Sequence, residues 1–262
     1  NIPTMAITDL FGGLKDYVMQ AKHITMLNSH AQNMLIEDGL VDASISQLHL
    51  TGNPAFDALS SLAFNSKDAF LAEHFSQSAE ALSQKRLVAH ADLHAYVDAK
   101  TKASYSKTEA ETLDELETVY AACRAVDAAY LVRPHPSQSR AFYASWVAQK
   151  EDAYLAADCP LHAWLHHCDV LIARSTTVSL EAVYMRRPVI QWEWQKHTDM
   201  PLADMGVAMG ADNAQSLTEA LRKLLNDNKA IEKLQNNANN MFPKTNAARK
   251  IANLILSIAA AH

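Results

Sequence analysis

The sequence is poor in the features that mark a secreted, membrane-spanning or nucleic-acid-binding protein. It holds three cysteines in 262 residues: Cys123, Cys159 and Cys168. The number is odd and no pair has C-x-x-C spacing. Neither a disulfide framework nor a zinc site is expected, and the thiols read as reduced and buried in a cytoplasmic protein. The net charge is −6 and no Lys/Arg-rich run occurs, which argues against a nucleic-acid partner. No apolar run is long enough to cross a membrane, and no signal-peptide pattern opens the chain. A nucleophile elbow, a Walker loop, a zinc-protease helix, a G-x-G-x-x-G turn and a D-x-D string are all missing. So are internal repeats and low-complexity segments. Histidines number 12, but His162, His166 and His167 flank Trp164 and Leu165 in one short helical stretch. They read as solvated imidazoles on a half-buried helix rather than as a metal pair.

What the chain does have is apolar content, 49%, arranged in alternating short runs and helical periods. The most informative stretch is Asp169 to Trp192, DVLIARSTTVSLEAVYMRRPVIQW. Val170 to Ala173 is a short apolar run bounded by polar residues, which predicts a buried strand. Arg174-Ser175-Thr176-Thr177 follows. A helical pattern comes next, with Val178, Leu180, Ala182, Val183 and Met185 on its apolar side. Pro188 ends that helix and Val189-Ile190 starts another strand. The turn therefore lies at the carboxyl end of a strand and the amino end of a helix, where open parallel sheets bind ligands. Free N–H groups at a helix start attract phosphate, and Ser175, Thr176 and Thr177 add hydroxyl donors. Glu181 lies one turn deeper on the same face, suited to a pair of ribose hydroxyls. The same residues serve as well for an ordinary helix cap with a solvated acid behind it.

Two further strings matter. Arg133-Pro134-His135-Pro136 follows the apolar run Ala129 to Val132, so His135 also sits at a strand's carboxyl end, its backbone restricted by two prolines. It suits a donor to phosphate or base, or a solvated turn residue. Thr51-Gly52-Asn53-Pro54-Ala55-Phe56-Asp57 joins a strand to a helical stretch, with Gly52 and Pro54 suited to a turn and a helix start.

The Asp169–Trp192 stretch resembles the donor-binding block of GT-B glycosyltransferases, D-V-[LI]-I-x-x-S-[ST]-x-x-x-E-A-x-x-x-[GR]-[KR]-P-V-I. Arg186 stands where that family usually has glycine. The string L-T-G-N-P-x-F-D-A-L resembles the hinge between the two GT-B domains. The His135 string resembles the H-P motif of bacterial sialyltransferases and CDP-glycerol phosphotransferases, which pairs with a later S-[ST] motif such as Ser175-Thr176. By the same resemblance, His90, at the end of the first strand of the second domain, is a candidate donor contact; an ordinary strand-end histidine is the alternative. Asp9-Leu10-Phe11-Gly12-Gly13 and Trp192-Glu193-Trp194-Gln195 are weaker candidates at strand ends.

The fold class expected is α/β and GT-B-like. Residues 1–60 would be the end of an amino-terminal Rossmann-like domain with its hinge, with strands at Thr4–Thr8, Ile24–Leu27 and Gln47–Leu50. Ser29 is the expected cap of the helix that Gly39 stops. Residues 61–262 would be a complete doubly wound domain. Six parallel strands are expected there, at Arg86–His90, Ala129–Arg133, Ala153–Ala156, Val170–Ala173, Val189–Trp192 and Gly206–Ala208. Thr108 to Glu111 reads as a capping box, and Ala91 to Lys107 as a long polar loop. The tail from Ser216 is helical with a break near Phe242-Pro243.

The resemblance implies a fragment of a metal-independent glycosyltransferase, with no cofactor beyond its substrate. A nucleotide-sugar donor would bind at His90, His135, Ser175, Thr176, Thr177 and Glu181. A glycan or lipid-linked acceptor, in capsule or surface-glycan synthesis, would meet an upstream portion of roughly a hundred residues that carries the catalytic base. Peripheral membrane association and a homo-oligomer stay open. Two alternatives compete. The hydrolysing UDP-sugar 2-epimerases share the fold but read S-G-G-x-x-E where this chain has Ser175-Thr176-Thr177. A non-catalytic module binding a nucleotide or a partner is the other.

Overall fold

The computed structural model describes residues 3–8, 19–93, 95–97, 104–193, 200–243 and 246–261. The chain forms two compact units, Asn1–Ser61 with Asn239–His262, and Leu62–Ala238. The sequence reading kept the tail with the second domain. In the structure the last residues pack with the first unit.

In that first unit, β1 (Met5–Ile7), β2 (His23–Met26) and β3 (Gln47–Leu50) make a parallel sheet in that order. Helix α1 (Ser29–Glu37) connects β2 to β3. Ile24 and Met26 from β2 pack with Leu35 from α1 in one small core. Asn28, not Ser29, caps α1, its side chain accepting from Ala31 N at 2.9 Å. Gly39 takes φ +68° and ends the helix, a conformation a side chain would resist. After β3, Gly52 turns at φ +85° and Asn53 caps a short 3-10 turn over Pro54–Phe56.

The second unit begins with α2 (Lys67–His74) and α3 (Ala79–Ser83), then β4 (Arg86–Ala91). The stretch expected to be a long loop contains an antiparallel hairpin, β5 (Ala95–Val97) and β6 (Ser104–Ser106). Helix α4 (Glu109–Arg124) follows, opened by the Thr108–Glu111 capping box. Next come β7 (Ala128–Arg133), α5 (Arg140–Val147), β8 (Ala153–Leu155), α6 (Leu161–His167), β9 (Val170–Ala173), α7 (Thr177–Tyr184) and β10 (Val189–Trp192). The series ends with β11 (Met209–Ala211), α8 (Ala214–Asn226) and α9 (Asn228–Met241), before α10 (Ala247–Ala260) returns to the first unit. Asp57 accepts from Ala247 N and Ala248 N, each at 2.8 Å, capping α10 from the far end of the chain.

The six long-range strands form one parallel sheet in the order β11-β10-β9-β4-β7-β8. Strands β9 and β10 are buried at every position, the pattern of a sheet covered on both faces. On one face, Leu116 and Val119 of α4, with Leu217 and Leu221 of α8, close over Val88, Tyr130, Ile172 and Ile190. Each such side chain contributes roughly 1.5–3 kcal/mol by leaving water. The expected six strands are present, with one shift of register. The last was placed at Gly206–Ala208. Gly206 instead turns at φ +69°, and the Val207 and Ala208 amides fold back onto Leu202 O at 3.0 and 3.2 Å. Pairing with β10 therefore starts only at Met209.

Candidate nucleotide site

From β4 the chain runs outward through β7 to β8, then returns across β4 to β9, β10 and β11. The strand order thus reverses between β4 and β9. Open α/β sheets bind ligands at the carboxyl ends of the strands beside such a reversal. The residues leaving β4 there are His90, Ala91 and Asp92. Those leaving β9 are Arg174, Ser175 and Thr176.

Behind this edge lies a buried polar cluster that the sequence reading did not find. His90 is 1% exposed. Its Nδ1 lies 2.6 Å from the Tyr130 hydroxyl, and its Nε2 lies 3.6 Å from Glu115 Oε1. Lys107, at the foot of the hairpin, donates to Glu115 Oε2 at 2.7 Å and also to Asp92. Arg174 donates to Glu115 Oε2 at 3.2 Å. Asp92 further accepts from the Tyr143 hydroxyl and from Gln138 Nε2, the latter at 3.4 Å. Two carboxylates therefore meet two cations away from water, the arrangement that makes buried charge tolerable. Burial favours the neutral form of Glu115. His90, Lys107 and Arg174 outweigh that and hold its carboxyl well below the usual carboxylate range. Burial raises the Tyr143 hydroxyl above its ordinary range, and Asp92 raises it further.

His90, Asp92 and Glu115 bring ligating atoms within 4.8 Å of one another. The Lys107 ammonium already bridges the two carboxylates, so the cluster carries its own positive charge. His90 was proposed as a ligand contact. The structure turns it inward, with both ring nitrogens beside groups of the chain.

Gln138 connects this cluster to the His135 turn. Its Nε2 faces Asp92 while its Oε1 accepts from His135 N at 2.7 Å. The His135 ring is exposed, with Nδ1 at 2.7 Å from Ser137 Oγ. Arg133 of the same string points elsewhere, donating to Ala156 O at 3.0 Å and lying over the Trp164 ring.

At the β9–α7 turn, the four expected residues have four different situations. Ser175 gives its N–H to Glu193 Oε1 at 2.7 Å and its hydroxyl to the same oxygen. Thr176 is the N-cap of α7, accepting from Ser179 N at 3.4 Å, so its hydroxyl does what the cap reading expected. Thr177 opens the helix and is exposed. Glu181 is not a solvated acid: its Oε2 lies 2.7 Å from His162 Nε2 on α6. His162, read as a solvated imidazole, is instead the partner of that carboxylate. Arg186, at the glycine position of the GT-B block, takes φ +61°, the left-handed geometry glycine would supply. Arg187 N bonds to Ala182 O at 2.9 Å and completes the C-terminal cap. Trp192 packs in the core. Trp194, Gln195 and the Asp9–Gly13 string lie outside the described residues.

The comparisons with known proteins bear on this geometry. The model of the family described as UDP-N-acetylglucosamine 2-epimerase (Epimerase_2) matches residues 19–256. No curated protein matches the sequence. Among solved structures, the S. aureus MnaA–UDP co-structure is 16% identical at a TM-score of 0.62, covering 91% of this chain and 62% of that one. The Neisseria meningitidis UDP-GlcNAc 2-epimerase bound to UDP-GlcNAc is 14% identical at 0.59, covering 90% and 62%. The wall teichoic acid polymerase TagF is 15% identical at 0.53, covering 92% and 58%. The chain thus spans about three fifths of the length of these proteins. At such identities the structures show the fold alone, a GT-B architecture common to isomerases and transferases. The family match corrects the sequence reading, which ranked the glycosyltransferase above the isomerase. The Ser-Thr-Thr turn, taken as a mark against the isomerase, does not separate the chain from that family. With 238 of its 262 positions inside the match, the chain belongs to the UDP-N-acetylglucosamine 2-epimerase family.

Proposed function

We propose that this chain is a UDP-sugar-binding portion of a 2-epimerase-type isomerase. The nucleotide would lie across the carboxyl ends of β4, β7, β9 and β10. The observation that carries the reading is the family match over 19–256; Ser175–Thr177 follow β9, the strand beside the reversal of strand order. Neighbours of the same fold hold UDP or UDP-GlcNAc.

In this reading the diphosphate meets the start of α7, where free N–H groups and the helix dipole favour negative charge. Glu181 takes the ribose hydroxyls, held in place by His162. His135, exposed at the end of β7, is a further donor to the nucleotide. Where a carbon that bears hydrogen is inverted by proton transfer, the proton leaves one face and another is delivered to the opposite face by positioned acid and base groups. His90, Asp92, Lys107 and Glu115 support the strand ends behind that chemistry and are positioning residues. The buried free thiols suit a reducing compartment such as the cytoplasm. No helix among the described residues is long and apolar enough to cross a membrane.

Calorimetric titration with UDP, UDP-GlcNAc and CDP tests the reading. UDP and UDP-GlcNAc are expected to bind, and Glu181→Gln is expected to weaken them by roughly tenfold, since hydrogen bonds to a charged acceptor are worth about 1.5–3 kcal/mol each. Preference for CDP would favour a polymerase-like donor instead. Equal binding by Glu181→Gln would remove the ribose assignment.

A further inference from the structure

We propose that Glu193 is an internal anion seated on the phosphate position of the β9–α7 turn, and that a nucleoside diphosphate must displace it to bind. The inference rests on the UDP-sugar reading and adds a competitor to it. Strands β9 and β10 are parallel neighbours, with Ala173 opposite Gln191. Glu193 therefore leaves the sheet beside Ser175. One carboxylate oxygen, Oε1, accepts both the Ser175 amide, at 2.7 Å, and the Ser175 hydroxyl.

The hydroxyl is aimed by its surroundings. Gln191 Nε2 donates into Ser175 Oγ at 2.8 Å, so one acceptor position of that oxygen is filled, and its single proton faces Glu193 Oε1, with Met200 O the more distant acceptor at 3.2 Å. Gln191 is itself locked: it is 5% exposed, its Nε2 reaches Met200 O at 3.0 Å, and its Oε1 accepts from Ala203 N at 2.7 Å. Two donors thus converge on a single negatively charged oxygen at the mouth of a helix. A phosphate oxygen presents the same charge and asks for the same donors.

One amide proton does not serve two anions at full strength, and two anions side by side in a partly desolvated cleft repel. Diphosphate on Ser175 and carboxylate on Ser175 are therefore alternatives. Without nucleotide, Glu193 keeps the amide and hydroxyl of half-buried Ser175 paired. With nucleotide, the carboxylate leaves, and the affinity is lower by the strength of the contact given up.

The test is titration of the full chain with UDP and with inorganic pyrophosphate, comparing the parent with Glu193→Gln and Glu193→Ala, each checked for a cooperative thermal transition. Removing the charge is expected to tighten UDP and pyrophosphate about tenfold in both variants. If the parent binds UDP and both folded variants bind it equally or more weakly, Glu193 is a supporting residue and the proposal fails while the UDP-sugar reading stands. If neither parent nor variants bind UDP, the UDP-sugar reading falls and the proposal with it. Should one variant fail to fold, the other decides.

Discussion

The Lys107 ammonium lies 2.7 Å from Glu115 Oε2, with both side chains 1% exposed. Asp92 holds the other side of the same ammonium, and Arg174 balances the second carboxylate. The four charges form a closed set that joins the end of β4, the foot of the hairpin, the middle of α4 and the exit of β9. A charge in the wrong place there has no water to turn to.

Lys107→Met removes the central cation and leaves Arg174 as the one Lys/Arg cation beside two buried carboxylates. The expected loss is about 3–5 kcal/mol, read as a shift in the urea midpoint at unchanged slope. Adding Asp92→Asn to that variant removes the surplus negative charge and is expected to recover part of the loss. Recovery of nothing would show that the hairpin foot needs the lysine for shape rather than charge.

Glu115 sets an acid limit on stability. Its folded carboxyl titrates below the ordinary 4.5, so the unfolded chain binds the proton first. Stability from this group is complete above about pH 4.5 and drains away as the pH falls toward the folded value. Denaturant unfolding measured downward from pH 6 is expected to show that loss, and Glu115→Gln is expected to flatten it while lowering the stability at pH 6.

Arg186→Gly is expected to stabilise the chain. The residue sits at φ +61°, where a side chain costs roughly 1–2 kcal/mol and glycine nearly nothing. The greater freedom of an unfolded glycine offsets part of this. The Arg186 guanidinium also donates to Val183 O at 2.9 Å, which the variant forfeits. The balance expected is a small net gain, visible as a rise in Tm. A fall in Tm would mean that the guanidinium outweighs the backbone.

The strands were legible because short apolar runs ended in polar or turn residues, as at Val170–Ala173 and Val189–Trp192. The β11 shift escaped because Gly206-Val207-Ala208 looks like a strand start, while the turn back onto Leu202 depends on a left-handed glycine. The buried cluster escaped for a different reason. Lys107 ends a polar stretch, and Glu115 is one of several acids along α4. A signal was present. Thr112, Glu115, Leu116, Val119, Ala122 and Cys123 lie on one buried face of α4, so Glu115 is a charge on the apolar stripe and demanded a partner. The contact between Ser175 and Glu193 was beyond reach of pattern alone, since it depends on two neighbouring strands ending level.

The Asp57 cap on α10 has a consequence for synthesis. Ala247 and Ala248 supply the amides it accepts, and they are translated after every residue of Leu62–Ala238. On the ribosome the second unit can therefore close while the first still waits for its last helix. The first sheet waits through that interval, with Ile7 and Leu50 on its strands about half exposed. Apolar surface and unpaired strand edges left open during such an interval favour aggregation and misassembly.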